Sequence, residues 1–247
     1  MLLKMISVVC VYNNKKILDN FLIKSLKKQS VNHELILIDN RKNKFKSAAE
    51  ALNYGGNQAK GNYIMFVHQD VDLSSKVWLE KAGKCLNSIP DLGIAGVAGK
   101  INKGNVLTKI SHGITPKSAG NHQIYQPIKV QTLDECLIII PKSVFDRLKF
   151  DDKTCNDWHL YAADYCLSIR NLDLNAYIIP LFLYHLSEGY SLSDEYYSTI
   201  EKLIHKHGKN NKWICTSMGD WDTFSTFTSP KLLYKKFKLK IKKFFKK

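Results

Sequence analysis

A chain of 247 residues with 45% hydrophobic and 11% aromatic content can bury one sizeable core, which excludes bulk disorder. Its formal charge of +15 is concentrated: lysines 231, 235, 236, 238, 240, 242, 243, 246 and 247 fall in the last 17 residues, leaving +6 for the other 230. The six cysteines form no CxxC pair and no Cys/His cluster of zinc-site spacing, which predicts buried free thiols in a reducing compartment.

The N-terminal Met1-Leu2-Leu3-Lys4-Met5 runs into strand-like sequence with no small-residue cleavage site, so no signal peptide is expected. No apolar run approaches the ~18 residues that span a bilayer. The expected location is the cytoplasm, peripheral on the cytosolic face of the inner membrane.

Residues 5–12 are a near-continuous β-branched run, the pattern of a strand covered on both faces. Ile17, Leu18, Phe21, Leu22 and Leu26 then recur at helical spacing. Leu35-Ile-Leu-Ile-Asp39 reads as a second buried strand ending on a carboxylate. Ala48, Ala49, Ala51, Leu52 and Ala59 mark a second helix stopped by Lys60-Gly61. Tyr63-Ile-Met-Phe-Val67 is a third strand, ending in His68-Gln69-Asp70-Val71-Asp72. This βαβαβ order predicts a parallel, Rossmann-like sheet with right-handed crossovers and helices on its faces.

Ligands of such sheets bind beyond the carboxyl ends of the strands. Those ends carry Tyr12-Asn13-Asn14, Asp39-Asn40 and His68-Gln69-Asp70, three polar tips converging on one crevice. The turn after the first strand has no glycine, so a GxGxxG dinucleotide site is excluded, and no P-loop is present. A diphosphate in this crevice needs another counter-charge, and a divalent cation on Asp70 is the natural one, because hard oxygen ligands hold Mg²⁺ or Mn²⁺ against phosphate.

Ser7-Val-Val-Cys-Val-Tyr-Asn13, Leu26-Lys-Lys-Gln-Ser30, Leu35-Ile-Leu-Ile-Asp39-Asn40, Ala51-Leu-Asn53-Tyr-Gly55, Ala59-Lys-Gly61 and Asp70 follow one another in order. Leu137-Ile-Ile-Ile-Pro141, Asp164-Tyr-Cys-Leu-Ser-Ile-Arg170 and Tyr177-Ile-Ile-Pro180 with His185-Leu-Ser187 come after. The series resembles the family 2 nucleotide-diphospho-sugar glycosyltransferases of the GT-A fold, over about residues 5–190.

The resemblance implies sugar transfer from a nucleoside diphosphate, in most cases UDP, to a glycan or lipid-linked acceptor in bacterial surface polysaccharide synthesis, with inversion. It implies a donor pocket of Tyr12, Asn13, Asp39, Asn40, Asn53, His68, Gln69 and Asp70, in which Asp39 meets the base. It also implies a divalent metal, Mn²⁺ or Mg²⁺, on Asp70 and His185, and Asp164 as the base that deprotonates the acceptor. Two positions depart from the family pattern: His68 stands where the first Asp of its DxD motif usually is, and Ala163 replaces the acid before Asp164.

Trp158 and His159 fit either an acceptor site that stacks on a sugar ring or a core aromatic cluster. Asp134 and Glu135, an acid pair ahead of an apolar strand, fit either acceptor contacts or an exposed strand start. Residues 100–130 show little periodicity and read as a long loop or short hairpin, a candidate lid.

Ser229-Pro230 is a helix-start signal. Beyond it Leu233, Phe237, Ile241 and Phe244 repeat every three or four residues among the lysines. This divides the chain into 1–228, the GT-A-like domain, and 229–247, a basic amphipathic helix suited to an anionic membrane surface through residues 231–247. No nucleic-acid partner is expected, because the charge is confined to the tail. Two competing readings keep part of these features: a nucleotide-sugar- or glycan-binding module without catalysis, and a basic membrane or nucleic-acid adaptor.

Overall fold

The computed structural model describes residues 4–120, 124–188, 193–224 and Tyr234. Its centre is a seven-stranded sheet of β1 (Ile6–Tyr12), β2 (Glu34–Asp39), β3 (Tyr63–Val67), β4 (Leu92–Gly96), β5 (Ile128–Val130), β6 (Leu137–Pro141) and β7 (Asn175–Ile178). The strand order is β5-β7-β4-β6-β3-β1-β2. β2 and β3 pair parallel with β1, and β7 with β4, whereas β6 and β5 run antiparallel to their neighbours. The expected GT-A layout of a mostly parallel sheet is borne out, and β6 and β5 are its two reversed strands.

Period-2 alternation divides the core between the two faces of the sheet. Val9, Ile64, Phe66, Ile94, Ile138 and Ile140 belong to one apolar cluster, with helices α2 (Ala48–Gly56), α4 (Lys142–Arg147), α5 (Tyr161–Ser168) and α6 (Asp194–His207). Val8, Cys10, Met65, Val67, Ala95, Leu137 and Ile139 belong to the other, with α3 (Trp78–Asn87) and the helical run of residues 15–26, α1. α1 runs through Lys15–Leu18, a π-helical segment Asp19–Ile23 and Lys24–Leu26. Each fully buried aliphatic side chain on β6 contributes roughly 2 kcal/mol of transfer free energy.

Caps fix the helices that frame the crevice. Asn14 Oδ1 accepts from Ile17 N at 3.1 Å, and Ser47 Oγ accepts from Glu50 N at 3.2 Å. α2 lies close against both the sheet and α4 because it ends in two glycines: a Cβ on Gly55 would stand 2.5 Å from Val9 Cγ1 of β1, and one on Gly56 2.4 Å from Phe145 Cζ of α4.

Four short strands fall among the described residues of 100–130: Leu107–Thr108, Ile110–His112, Lys117–Ser118 and β5. Of the two expected forms the short hairpin is present, Ile110–His112 pairing antiparallel with Lys117–Ser118. All six cysteines are free, five of them buried and Cys85 half-buried. The basic tail lies outside the described residues except for Tyr234, and no described helix is long and apolar enough to cross a membrane.

Candidate active site

A cavity of about 410 Å³ opens at the carboxyl ends of β1 and β3, lined by Tyr12, Asn13, Asn40, His68, Gln69 and Asp70, with Leu52 and Phe66 among the apolar residues. Gln69 ties the two strand ends together: its Oε1 accepts from Asn13 N at 3.1 Å and Asn14 N at 2.9 Å, and its Nε2 donates to Asn13 Oδ1 at 2.7 Å. Asn40 spends its amide on Phe45, accepting from Phe45 N at 2.8 Å and donating to Phe45 O at 3.2 Å. It therefore shapes the loop after β2 while forming part of the wall.

Two residues expected in the donor pocket do not line it. Asp39 is exposed and paired with Arg41, Nη2 to Oδ2 at 2.6 Å, and it also accepts a hydrogen bond from the Tyr12 hydroxyl. The Arg41 hydrogen bonds hold its carboxyl well below the usual range. Its link to the cavity runs through Tyr12. The Asn53 amide is consumed by main-chain groups of Phe150, accepting from N at 3.0 Å and donating to O at 2.9 Å. Asn53 joins α2 to the segment after α4, so its expected donor contact is corrected to a structural one.

The end of β3 reaches His185 through a small sheet. Val71–Asp72 pairs antiparallel with Leu183–His185, so that His185 lies opposite Val71, and Leu186 N donates to Asp70 O at 3.0 Å. His185 Nε2 stands 3.2 Å from Asp70 Oδ1 and 3.1 Å from Ser187 Oγ, and Ser187 N donates to Asp70 Oδ2 at 3.2 Å. His68 completes the group, its ring 5.5 Å from that of His185. One ligand atom from each of His68, Asp70 and His185 lies within 4.8 Å of the others, a set that fits a divalent cation. Asp72 turns away to accept from Ser74 N at 2.6 Å.

The electrostatics follow from this packing. Burial works against charge on Asp70, but the His185 hydrogen bond and the charges of His185 and His68 outweigh it, and the carboxyl is held low. Burial also disfavours a charged His185, yet Asp70 raises its pKa. His68 is pushed down, first by burial and then by His185.

A second cavity of about 160 Å³ shares His68, Trp158 and Ser187 with the first. Its walls include Asp134, Glu135, His159 and His185, together with Tyr196, Thr216, Ser217 and Met218. Four residues expected on the acceptor side, Asp134, Glu135, Trp158 and His159, are thereby brought together. His159 stacks edge-on against Tyr196 at 5.8 Å between centroids, and Trp158 stays partly exposed between the cavities. The Tyr161 hydroxyl donates to Glu135 O at 3.2 Å and lies 3.5 Å from His68 Nε2. Sequence reading missed the wall contributed by α6 and the hairpin of Trp213–Thr216 and Gly219–Asp222, which carried no recognised motif.

Asp164 is the main correction. It is 2% exposed and lines neither cavity. Its carboxylate accepts from His207 Nε2 at 2.7 Å and Lys206 Nζ at 2.8 Å, and Lys206 in turn bridges to Asp151 at 2.8 Å. An acid held between α5 and α6 by Lys206 and His207 faces neither cavity in this structure. Its role is to join the helices.

Residues 6–207 match a family described as "Glycosyltransferase like family". A protein of Fuscovulum blasticum described as "ATP synthase subunits region ORF 6" is 27% identical over 170 residues, covering 64% of this chain and 63% of its own length. Among solved structures, the chain resembles the mannosyltransferase PcManGT of Pyrobaculum calidifontis in complex with GDP-Man and Mn²⁺, with a TM-score of 0.54 and 10% identity over 85% of this chain and 65% of that one. It also resembles S. aureus TarS in complex with UDP-GlcNAc, with a TM-score of 0.57 and 13% identity over 82% of this chain and 66% of that one. At such identities the likeness to the solved structures is one of fold, and the chain spans just under two thirds of the length of each of these three proteins.

Proposed function

The chain belongs to that glycosyltransferase-like family, and we propose that it transfers a sugar from a nucleoside diphosphate, in the first instance UDP, to a hydroxyl of a glycan or lipid-linked acceptor. The observation that carries this reading is the His68–Asp70–His185 cluster, in which His68 lines both cavities, Asp70 the larger and His185 the smaller. The larger cavity has the polar rim and apolar floor of a nucleoside site. Trp158 offers a ring face to a sugar at the junction.

A divalent cation bound by these three side chains would supply positive charge against the diphosphate as it departs. Tyr12, Asn13 and Gln69 form the rim against which a nucleoside is oriented, and Gln69 keeps that rim rigid by bonding both sides of it. Direct displacement by the acceptor hydroxyl inverts the anomeric centre. Residues 231–247 attach the enzyme to the anionic cytosolic face of the inner membrane, beside lipid-linked acceptors of surface polysaccharide synthesis.

The test is a thermal-shift screen of UDP, GDP, CDP and ADP with and without Mn²⁺. A manganese-dependent stabilisation by one nucleotide, lost in Asp70→Ala, is the expected result; equal shifts without the metal would sink the reading.

A further inference from the structure

With Asp164 sealed away, the acceptor cavity needs another proton acceptor, and its two carboxylates are not equivalent. Asp134 is satisfied: it accepts from Cys136 N at 3.0 Å and from the Ser217 side chain, and it is held below its ordinary range despite burial. Glu135 differs. Main-chain N–H groups of Leu160, Tyr161 and Ala162 donate to its carboxyl at the start of α5. This is a point where Leu160 is left-handed, with φ 68°, and supplies no side-chain cap. Its Oε1, however, is buried with no hydrogen-bond partner among the described residues. An unsatisfied carboxylate oxygen costs free energy, so its persistence beside a cavity points to a partner that arrives with the substrate.

We propose that Glu135 is the catalytic base of this transferase, its carboxyl on the wall of the second cavity taking the proton of the acceptor hydroxyl. The assignment rests on the transfer reading above. As the proton passes to Glu135, the acceptor oxygen forms a bond to the anomeric carbon, and the bond from that carbon to the diphosphate oxygen breaks. The electron pair leaves with the nucleoside diphosphate. The helix-start N–H groups keep the carboxyl in one rotamer through the step.

Tyr161 links the base to the metal cluster, with its hydroxyl against both the Glu135 carbonyl and the His68 ring. Burial and the neighbouring Asp134 push the Glu135 pKa up to about 8, so the ionised form that accepts the proton gains population as pH rises toward 8. The base thus comes from the strand end before β6, while the acid that the family pattern expects ahead of Asp164 is Ala163.

The test uses the full chain with Mn²⁺ and UDP-glucose, UDP-N-acetylglucosamine or GDP-mannose, an octyl glycoside as acceptor, and release of the nucleoside diphosphate as readout. Glu135→Gln should lower kcat by about 100-fold or more. Affinity for Mn²⁺ with the cognate nucleoside diphosphate should stay within about twofold of wild type, because the amide oxygen still caps α5. In Glu135→Ala, added formate should restore turnover, which a purely structural carboxyl would not permit. Glu135→Gln retaining more than about a third of kcat, or Glu135→Ala refusing rescue while binding the nucleotide normally, overturns the assignment. A wild-type chain silent on every donor overturns the transfer reading itself, and the assignment with it.

Discussion

Asp164→Ala should behave as a stability variant, and the structure sets the size of the effect. The substitution leaves His207 Nε2 without its 2.7 Å acceptor and removes one of the two carboxylates held by Lys206. Removing one partner from a buried ion pair costs about 3–5 kcal/mol. Here the Lys206 side chain is 32% exposed and keeps Asp151, which favours the lower end, about 3 kcal/mol. For a chain of this size the melting temperature falls by about 2–4 °C per kcal/mol, so a drop of about 6–12 °C is expected. Differential scanning calorimetry measures it directly. Assayed well below the lowered melt, the variant should keep most of its turnover. A variant that melts within a degree of wild type yet has lost transfer would restore Asp164 as the base and refute the argument from burial.

Asp70→Ala should weaken Mn²⁺ binding by at least 10–100-fold, read by titration calorimetry, and His68→Asp should improve Mg²⁺ binding relative to Mn²⁺, since two imidazoles and one carboxylate favour the softer ion. Deleting residues 231–247 should release the chain from anionic liposomes in a flotation assay, because each lysine near the surface contributes about 1 kcal/mol; full co-flotation of the truncated chain would remove the membrane role. The raised pKa of Glu135 also makes a prediction for the metal-free protein. The folded state keeps the proton to about pH 8 while the unfolded chain releases it near 4.5, so this stabilisation is complete below pH 4.5 and is lost as pH rises to 8. Asp134, Cys155, Tyr161 and Tyr196 surround Glu135, and of these Asp134 raises its pKa. Urea unfolding in EDTA should show that slope in wild type and lose it in Glu135→Gln; parallel pH curves for the two would contradict it.

The fold was legible where hydrophobic periodicity and chain order speak for themselves. β1, β2, β3 and the helices between them follow from apolar runs, caps and glycines within 70 residues. The reversal of β6 was not legible: Leu137-Ile-Ile-Ile-Pro141 is equally apolar in either direction, and only its antiparallel pairing with β3 and β4 distinguishes them. The site divides in the same way. Asn13, Gln69 and Asp70 stand at strand ends, where topology alone points to a ligand. Asn53 and Asp164 were misread because motif position says nothing about burial. An Asn amide opposite main-chain groups of Phe150 and an Asp facing Lys206 and His207 are contacts across 97 and 42–43 residues of chain.

This division has a consequence for specificity. The donor half is drawn mostly from the first 70 residues, with Trp158, Tyr161 and Ser187 added from later in the chain. The acceptor half is drawn from the β6 entry, the α5 start, α6 and the hairpin around Met218, elements far apart in sequence. Tyr196, Thr216 and Met218 line the second cavity and not the first, where Asp70 stands, although His185 shares their cavity. Choice of acceptor is therefore expected to reside in the C-terminal hairpin and α6. Met218→Trp should narrow the second cavity and raise KM for a bulky octyl glycoside while leaving the Mn²⁺-dependent nucleotide shift intact. A loss of nucleotide binding in that variant would mean that the two cavities act as one.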